Sequence, residues 1–433
     1  MSYYHYGTMS TNAAGHLAIG GVDTLDLARE FGTPLYVYDV ALIRERIRAF
    51  KRVFETRNID YHISYASKAF STKAMYRILT EEGIGADVVS GGEIYTAQSA
   101  GFDMSQASFN GNNKSAAELK AALAAGVGHV IIDNFHEIEL LESILAATQQ
   151  QLKVLIRVTP GISAHTHEYD MTGQVDSKFG FDIQSGQADK AVQQIQRSKF
   201  LKYDGLHVHI GSQIFETVGF EKAADALIKL ATKWTNELNI TTNIFNVGGG
   251  FGVRYSTSDT PLAPQVYVED IVDEILKQTQ AAHLKQPAIW IEPGRSIVAE
   301  AGTTLYTIGA RKDIPNVRSY VAVDGGMGDN IRPALYQAKY EAALCNDPEA
   351  APIETVAIAG KYCESGDMLI WDQPLPKTVP GDILATFVTG AYGYAMANNY
   401  NRNPRPAIVF VENNQAQLVV KRESYADLTR LDI

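Results

Sequence analysis

Cysteine is scarce in this sequence, and its scarcity narrows the class of protein. Only two of the 433 residues are cysteines, Cys345 and Cys363, which is too few for a disulfide framework. Nothing near either of them has the spacing of zinc ligands, so the cysteines do not predict a zinc site. This composition fits a reducing compartment.

Two kinds of apolar segment are also missing. Residues 1–30 contain no basic stretch followed by an apolar one, as a secretory signal would. No apolar run reaches the roughly 18 residues that a membrane-spanning helix needs. We therefore expect a cytoplasmic protein that does not bind membranes.

An excess of positive charge is absent as well. The 38 basic residues against 49 acidic ones give a net charge of −11, and no basic stripe is visible. This balance disfavours nonspecific binding to nucleic acid. The hydrophobic content of 45% and the charged content of 20% are typical of a globular protein. The length suffices for two or three domains, or for one barrel with an attachment.

The middle of the chain alternates between strand-like and helix-like segments. Helical spacing of apolar residues is clear at 115–125, 135–149, 217–236 and 266–284. Eight strands joined by helices are the number that closes a parallel (β/α)8 barrel, the TIM barrel, with a doubly wound parallel sheet as the rival arrangement. The candidate strands are 61–66, 84–90, 107–110, 129–133, 152–158, 203–210, 242–247 and 287–292.

The two ends of the chain have a different character. The first 34 residues contain a short strand and turn and then a helix from Thr24 to Phe31, with Asp23 or Thr24 as its cap. Beyond residue 297, short β-type runs separated by Gly and Pro predict a β-sandwich or β-barrel domain. We predict an N-terminal arm, 1–36, that completes this C-terminal β domain, 298–433, with the barrel, 37–297, inserted between them. The short runs are 319–323, 356–359, 382–387, 407–411 and 417–420.

Lys68 stands at the end of a predicted strand, Tyr61–Ala66, just before a helix whose candidate N-cap is Ser71 or Thr72. An α/β barrel keeps its chemistry at this end of its strands. A lysine that loses its proton there can form a Schiff base with an aldehyde. Taken alone, the residue fits a solvated lysine in a loop better, and the other segments at strand ends reverse this preference.

Three further segments fall at strand ends, and a closed barrel would bring all of them to the face that holds Lys68. The glycine run 248–250 lets backbone N–H groups approach an anion, and a following helix N-terminus would add its positive end. The alternative is a turn that needs glycine for its geometry alone. The segments are 207–213, 247–252 and 291–295.

Charged side chains in two of these segments suggest roles. Glu292 would keep a pyridine ring protonated, and Arg295 would bind a phosphate or carboxylate, unless the two form only a local ion pair. His209 would stack on a flat ring, unless it is simply a buried histidine. His207 and His209 also form a pair that some barrel metallohydrolases use for metal, but no further ligands complete a set.

The interval 159–183 breaks the alternation and predicts a long loop, a common form for a binding loop or a lid. His165 and His167 lie within it. We favour a polar loop over a metal site, because no carboxylate or third histidine completes a ligand set nearby.

A Schiff-base lysine, a glycine cradle for phosphate and a ring-protonating acid together predict a pyridoxal 5'-phosphate site. The chain also resembles the barrel-type pyridoxal-phosphate decarboxylases (fold type III) along nearly its whole length. The motifs that carry the resemblance are 65–69 (YASKA), 87–93 (DVVSGGE), 177–180 (SKFG), 209–212 (HIGS), 248–252 (GGGFG), 292–295 (EPGR), 332–336 (RPALY), 363–367 (CESGD) and 391–393 (AYG).

The resemblance implies a role for each matching residue in the cofactor site. Lys68 carries the cofactor as a Schiff base, His209 stacks on its ring, and Glu292 pairs with its pyridine nitrogen. Asp87 helps to shape the site. The phosphate is held by a larger group: Ser212, Gly248, Gly249, Gly250, Gly294 and Arg295, completed by Tyr392.

The resemblance also implies the substrate contacts. Arg295, Arg332, Tyr336 and Tyr392 contact the substrate, Glu364 binds its distal ammonium, and Cys363 returns a proton to the carbon that loses CO₂. In this family Cys363 and Glu364 come from the partner subunit, which implies a homodimer with shared active sites. Without the resemblance, Arg332 would pass for a surface residue, Cys363 for a small buried one, and Tyr336 and Tyr392 for packing residues.

Arg332 and Glu364 together suit a small-molecule amino-acid substrate whose far end is itself an amino acid, as in diaminopimelate. An enzyme acting on ornithine, lysine or carboxynorspermidine is the alternative. An amino-acid racemase would need a tyrosine base, and it would not need residues that bind the far end of the substrate. A non-catalytic regulator would tend to lose the lysine or the glycine cradle, and this chain keeps both. A metallohydrolase is the third rival.

Overall fold

The computed structural model describes residues 5–161 and 176–433, and it divides the chain into two compact units. None of the helices in these ranges is long and apolar enough to cross a membrane. One unit contains the centre of the chain, and the other is built from three separate segments. The first comprises Arg46–Gly252 and Pro261–Ser296, and the second Met1–Glu45, Val253–Thr260 and Ile297–Ile433.

The strands of the described ranges are numbered in chain order. They are β1 Ser10–Thr11, β2 Leu17–Ile19, β3 Val22–Asp23, β4 Leu35–Asp39, β5 Tyr61–Ala66, β6 Gly85–Val88, β7 Ala107–Phe109, β8 His129–Ile132, β9 Leu152–Thr159, β10 Phe181–Asp182, β11 Leu201–His207, β12 Ile244–Asn246, β13 Ala288–Ile291, β14 Gly302–Ile314, β15 Arg318–Val323, β16 Ala342–Leu344, β17 Glu354–Ala359, β18 Met368–Leu375, β19 Ile383–Thr386, β20 Ala407–Glu412 and β21 Gln415–Val420.

The α-helices follow the same numbering. They are α1 Thr24–Phe31, α2 Val40–Arg57, α3 Lys73–Glu82, α4 Gly91–Ser99, α5 Ala116–Ala125, α6 Phe135–Thr148, α7 Gln187–Arg197, α8 Val218–Leu238, α9 Pro264–Ala281, α10 Arg295–Val298, α11 Arg332–Tyr336 and α12 Tyr425–Thr429.

Eight parallel strands close into a barrel in the central unit. Their order is β9, β11, β12, β13, β5, β6, β7, β8, and β8 pairs with β9 to complete the ring. Because the ring has no free edge, the doubly wound sheet is excluded and the predicted (β/α)8 barrel is confirmed. All eight predicted strands are present, with ends that differ by a few residues, and β10 lies beside β9 as an extra short strand.

Side-chain caps start the helices that follow four neighbouring barrel strands. Thr72, Ser90, Ser115 and Asn134 each accept a hydrogen bond from a backbone N–H in the first turn of α3 to α6. These caps satisfy donors that have no partner within the helix, so each helix begins sharply after its loop. The short loops place the strand ends on one face of the barrel.

The second unit contains a mixed sheet in the order β18, β17, β15, β14, β4, β20, β21; β19 also pairs with β14, and β16 pairs with β19. The N-terminal strand β4 lies inside this sheet, antiparallel to β14 and parallel to β20. The sequence analysis missed its longest strand, β14, which has 13 residues. Gly302, Gly309 and the charged run 311–313 hide its β pattern.

Candidate active site

Lys68 follows the end of β5, in a single 3-10 turn, Ser67–Ala69. Its two neighbours are fully buried, whereas Lys68 is exposed. The hydroxyl of Tyr76 donates to Ser67 Oγ at 2.9 Å, which fixes the turn. The lysine amine is thereby held at the carboxyl face of the barrel on a rigid support.

Glu292 directly follows β13 and is almost fully buried, with 6% of its surface exposed. Asn110 and Asn246 donate from their side-chain amides to Oε1, at 3.2 and 2.7 Å. His207 Nε2 lies 3.0 Å from Oε2. The backbone N–H of Ala66 donates to the Pro293 carbonyl at 3.1 Å, so the Glu292 segment borders the strand end that carries Lys68.

The electrostatics separate Glu292 from its neighbour Asp87. Burial alone would raise the pKa of Glu292. The charge interaction and hydrogen bond with His207, together with the charge of His209 and the hydrogen bond from Asn246, outweigh burial and lower that pKa to about 2. Burial, and then the charge of Glu292, raise the pKa of Asp87 well above its ordinary value. Asn110 bridges the two carboxyls, because its amide also donates to Asp87 Oδ1 at 2.7 Å. Glu292 is therefore the ionised member of the pair.

The glycine run forms a turn packed against two other strand ends. Gly248 and Gly250 have φ values of 71° and 105°, which favour glycine. A Cβ at Gly249 would lie 2.1 Å from the carbonyl oxygen of Glu292, and one at Gly250 would lie 2.2 Å from that of Gly211. Only glycine fits here, so no side chain covers the backbone of this turn. The next helix, predicted at 266–284, begins at Pro264, so no helix N-terminus directly follows the glycine run.

Ser212 and Arg295 form a polar pair beside this turn. Arg295 donates from Nε and Nη2 to Ser212 Oγ, at 3.2 and 3.0 Å, and the arginine is 6% exposed. The Ile214 N–H donates to the Gly250 carbonyl at 3.0 Å, so the loop carrying Ser212 is tied to the glycine turn. A buried guanidinium, a hydroxyl and a side-chain-free turn match a phosphate.

His209 lies at the glycine turn and accepts a hydrogen bond from the Gly249 N–H through Nδ1, at 3.3 Å. Burial, followed by the charges of Lys68 and Arg157, holds the pKa of His209 well below its ordinary value. A neutral imidazole with an occupied Nδ1 is suited to stacking on a ring, as predicted. It is not suited to binding a metal through that nitrogen.

The described ranges contain no group of three or more residues that could hold a metal ion. The His207–His209 pair is not such a site, because His207 pairs with Glu292 and His209 with the glycine turn. His165 and His167, in the predicted loop 159–183, lie outside the described residues.

Sequence reasoning missed several residues of this site. Asn110 and Asn246 end or follow their strands, yet asparagine at a strand end usually signals only a turn. Asn246 also accepts the Gly248 N–H at 2.9 Å, so it joins the glycine turn to Glu292. Glu93 lay within a quoted motif without a role; burial raises its pKa to about 7, and it interacts electrostatically with Lys68.

Arg157 was also missed. It lies on β9, is 8% exposed, and its guanidinium stacks on the Phe179 ring at 4.2 Å. Nη1 lies 3.8 Å from Asp133 Oδ2, and Asp133 Oδ1 accepts the Gly180 N–H at 3.0 Å. A buried cation is thus fixed at the same end of the barrel, and it interacts electrostatically with Glu292 and Asp87.

The remaining predicted residues belong to the second unit. Arg332 is buried, donates to the Tyr340 hydroxyl at 2.6 Å, and lies 4.8 Å from the centre of the Tyr255 ring. Tyr336 is half-buried, and Cys363 and Glu364 are exposed on a turn. Tyr392 has φ 59°, a conformation that is uncommon for tyrosine.

The barrel residues fit pyridoxal phosphate. The exposed amine of Lys68 suits an aldehyde, the ionised Glu292 suits a pyridinium nitrogen, and the glycine turn with Arg295 and Ser212 suits a phosphate.

Comparisons with known proteins agree with this assignment. The family model described as pyridoxal-dependent decarboxylase, pyridoxal binding domain, matches residues 40–299. A diaminopimelate decarboxylase of Bacillus methanolicus is 59% identical over 97% of both chains, and one of Bacillus subtilis is 55% identical over 99% of this chain and 98% of its own. The crystal structure of a diaminopimelate decarboxylase from M. jannaschii in complex with L-lysine superposes with a TM-score of 0.90 at 34% identity, covering 98% of both chains.

Proposed function

From the premise that this chain belongs to the pyridoxal-dependent decarboxylases, we propose that it removes one carboxyl group from meso-2,6-diaminopimelate. The products are L-lysine and CO₂, in the last step of lysine biosynthesis. The observation that carries the proposal is the meeting of Lys68, the ionised Glu292 and the glycine turn on one barrel face. The named relatives supply the substrate.

When bound, pyridoxal phosphate supplies an electron sink for the electron pair that the departing carboxylate leaves behind. Lys68 would hold its aldehyde carbon, and Glu292 would hold a proton at its ring nitrogen. Arg295, Ser212 and the glycine turn would hold its phosphate. Their hydrogen bonds are already formed, so binding needs little reorganisation.

The residues that we propose for substrate binding belong to the second unit. The buried guanidinium of Arg332 suits the distal carboxylate, and Glu364 suits the distal ammonium. Cys363 would donate a proton to the carbon that has lost CO₂, and its exposure supports this role. The uncommon backbone of Tyr392 supports a functional contact, because such conformations concentrate at binding sites.

We propose further that the chain acts as a homodimer in the cytoplasm. Cys363 and Glu364 of each chain would complete the site of the other chain. The proposed domains are the arm, 1–36, the cofactor-binding barrel, 37–297, and the β domain, 298–433. The exposure of both residues on a turn supports their delivery to a partner.

Product analysis tests the proposed activity. Purified protein loaded with pyridoxal phosphate should convert diaminopimelate to lysine and CO₂, and should turn over ornithine and lysine far more slowly. Lys68→Ala should yield no product, whereas the control Lys73→Ala, at an exposed helix start, should match the wild type. A preference for ornithine would overturn the substrate assignment, and activity in Lys68→Ala would overturn the mechanism.

A further inference from the structure

His207 is a buried histidine to which the mechanism above assigns no task. Its side chain is 1% exposed, at the last position of β11. Nε2 lies 3.0 Å from Glu292 Oε2. Because an ionised carboxylate can only accept, Nε2 must carry the proton of this hydrogen bond.

The other ring nitrogen makes the arrangement unusual. Nδ1 is buried and has no hydrogen-bond partner in the described part of the chain. Buried polar groups are normally paired, so a histidine that served only the fold would be expected to use both nitrogens. Within the described part of the chain, the His207 side chain makes a single hydrogen bond, and that bond goes to the acid of the cofactor site.

The donors around Glu292 leave one position open. Oε1 accepts from both Asn110 and Asn246, which occupies its two lone pairs, and Oε2 accepts only from His207. The second lone pair of Oε2 therefore remains for an N–H outside the protein. His207 orients this oxygen, because it is the only described side chain that donates to it.

Titratable groups from several strands surround Glu292, and they influence which of the two buried carboxyls carries a proton. Asp87 is a second buried carboxyl, joined to Glu292 through the Asn110 amide. Among the groups that interact with the pair, His207 alone makes a direct hydrogen bond to Glu292 from a titratable side chain. Glu292 faces His207, His209, Asp87, Arg157 and His62, and Asp87 also faces Lys68 and Glu93.

We propose that His207 is a positioning residue that keeps the negative charge of the carboxyl pair on Glu292 and the proton on Asp87. The inference rests on the proposed function for the identity of the cofactor, but not for that of the substrate. Without the Nε2–H donor, burial disfavours the charge on Glu292, and the proton moves from Asp87 to Glu292. A neutral Glu292 could no longer stabilise a protonated ring nitrogen.

The test reads the ring nitrogen directly, without turnover. Wild-type protein and variants are loaded with pyridoxal phosphate carrying ¹⁵N in the ring, and the ¹⁵N chemical shift reports whether that nitrogen is protonated. Wild type and His207→Gln, whose amide replaces the Nε2–H donor, should give the protonated shift. His207→Leu should give the unprotonated shift with cofactor still bound, and kcat should fall about ten- to hundred-fold.

A matched control comes from the same barrel. His129 Nε2 lies 3.1 Å from Asp204 Oδ2, a partly buried histidine–carboxylate pair that the site does not use. His129→Leu should leave both the ¹⁵N shift and kcat at wild-type values. A protonated ring nitrogen in His207→Leu at full cofactor occupancy would overturn the proposal.

Two safeguards keep the result decisive. If His207→Leu does not fold, His207→Asn replaces it, because the shorter asparagine amide cannot reach Glu292. In that variant, the ¹⁵N shift of an unprotonated ring nitrogen would support the proposal, and that of a protonated one would overturn it. Wild-type protein that binds the cofactor but leaves diaminopimelate intact would refute the proposed function alone, because the ¹⁵N readout involves no substrate.

Discussion

Two buried carboxyl groups, one in each unit, differ in charge although their burial is similar. Glu292 in the barrel is 6% exposed and Asp329 in the second unit is 2% exposed. Glu292 has a pKa of about 2, whereas burial raises the pKa of Asp329 to about 7. Burial therefore does not decide the charge of a carboxyl group in this molecule.

The hydrogen-bond donors around each carboxyl group determine whether it is charged. Glu292 accepts from three side chains, one of them His207. Among the described residues, only the Gly326 N–H donates to the Asp329 carboxyl, and the nearby carboxyls of Asp324 and Asp367 raise its pKa further. The barrel thus holds a buried negative charge ready for chemistry, whereas the second unit tends to neutralise one.

We expect the largest effect on the barrel site from Gly249→Ala, which disturbs the segment that carries Glu292. The new Cβ would lie 2.1 Å from the Glu292 carbonyl oxygen, so the backbone of the glycine turn or of the Glu292 segment would have to shift. We expect loss of cofactor binding and activity, measured by absorbance after gel filtration and by lysine formation. Gly92→Ala is the control, because its nearest neighbour is Ser90 Oγ at 3.7 Å; equal behaviour of the two variants would contradict the prediction.

Mixing two inactive variants sharpens the contrast between the units. Lys68→Ala removes the barrel lysine and Cys363→Ala removes the exposed thiol, so each homodimer should be inactive. If sites are shared, half of the dimers in a random mixture carry one intact site, and activity should recover to about a quarter of the wild type. Denaturation and refolding of the mixture, followed by a rate assay, measures this; no recovery would argue against shared sites.

The pH dependence of stability tests Asp329. Its pKa in the folded state is raised above the unfolded value of 3.8, so between pH 4 and pH 7 the unfolded chain releases a proton that the folded chain keeps. The free energy of unfolding should therefore fall as pH rises through this window, by up to about 4 kcal/mol. Asp329→Asn should flatten that dependence in urea titrations at pH 5 and pH 8, and an unchanged slope would show that Asp329 titrates normally.

The smallest effect concerns Asp367, which supports the turn of Cys363. Its carboxylate accepts the N–H groups of Met327 and Tyr362, at 2.6 and 2.8 Å. Asp367→Asn turns an amide donor toward one of these groups, and this should cost about 1–3 kcal/mol of stability in a thermal melt. Asp372→Asn, whose side chain is 74% exposed, should stay within about 0.5 kcal/mol of the wild type. Equal losses in both variants would mean that the Asp367 contacts contribute nothing specific.

The barrel could be predicted because its signals are local. Most barrel strands contain a short run of β-type apolar residues, and polar caps such as Thr72 start the next helix. The alternation of strand and helix can therefore be recognised without knowledge of tertiary contacts. The strand β14 was missed because its glycines and charged end break the pattern. Its regularity comes from pairing with β15, which follows it directly, and with β4 and β19, which are distant in sequence.

Site residues could be predicted from the sequence only where the residue type itself has a characteristic chemical role. The residue types alone predict an amine at Lys68, a carboxylate at Glu292 and an anion-binding turn at the glycine run. The same is not true of Asn110 and Asn246, because an amide at a strand end has no distinctive pattern, and their function depends on which carboxylate they meet across the barrel. Likewise, the spacing of His207 and His209 suggested metal, and only geometry separates their partners.

The strand β4 has a consequence for how the protein is made. It pairs with β14 and with β20, which lies more than 360 residues further along the chain. During synthesis on the ribosome, the barrel segment emerges complete while both edges of β4 still await their partners. Exposed strand edges invite pairing with other nascent chains. Slow translation of the last hundred residues would therefore prolong the period in which this protein is most prone to aggregate.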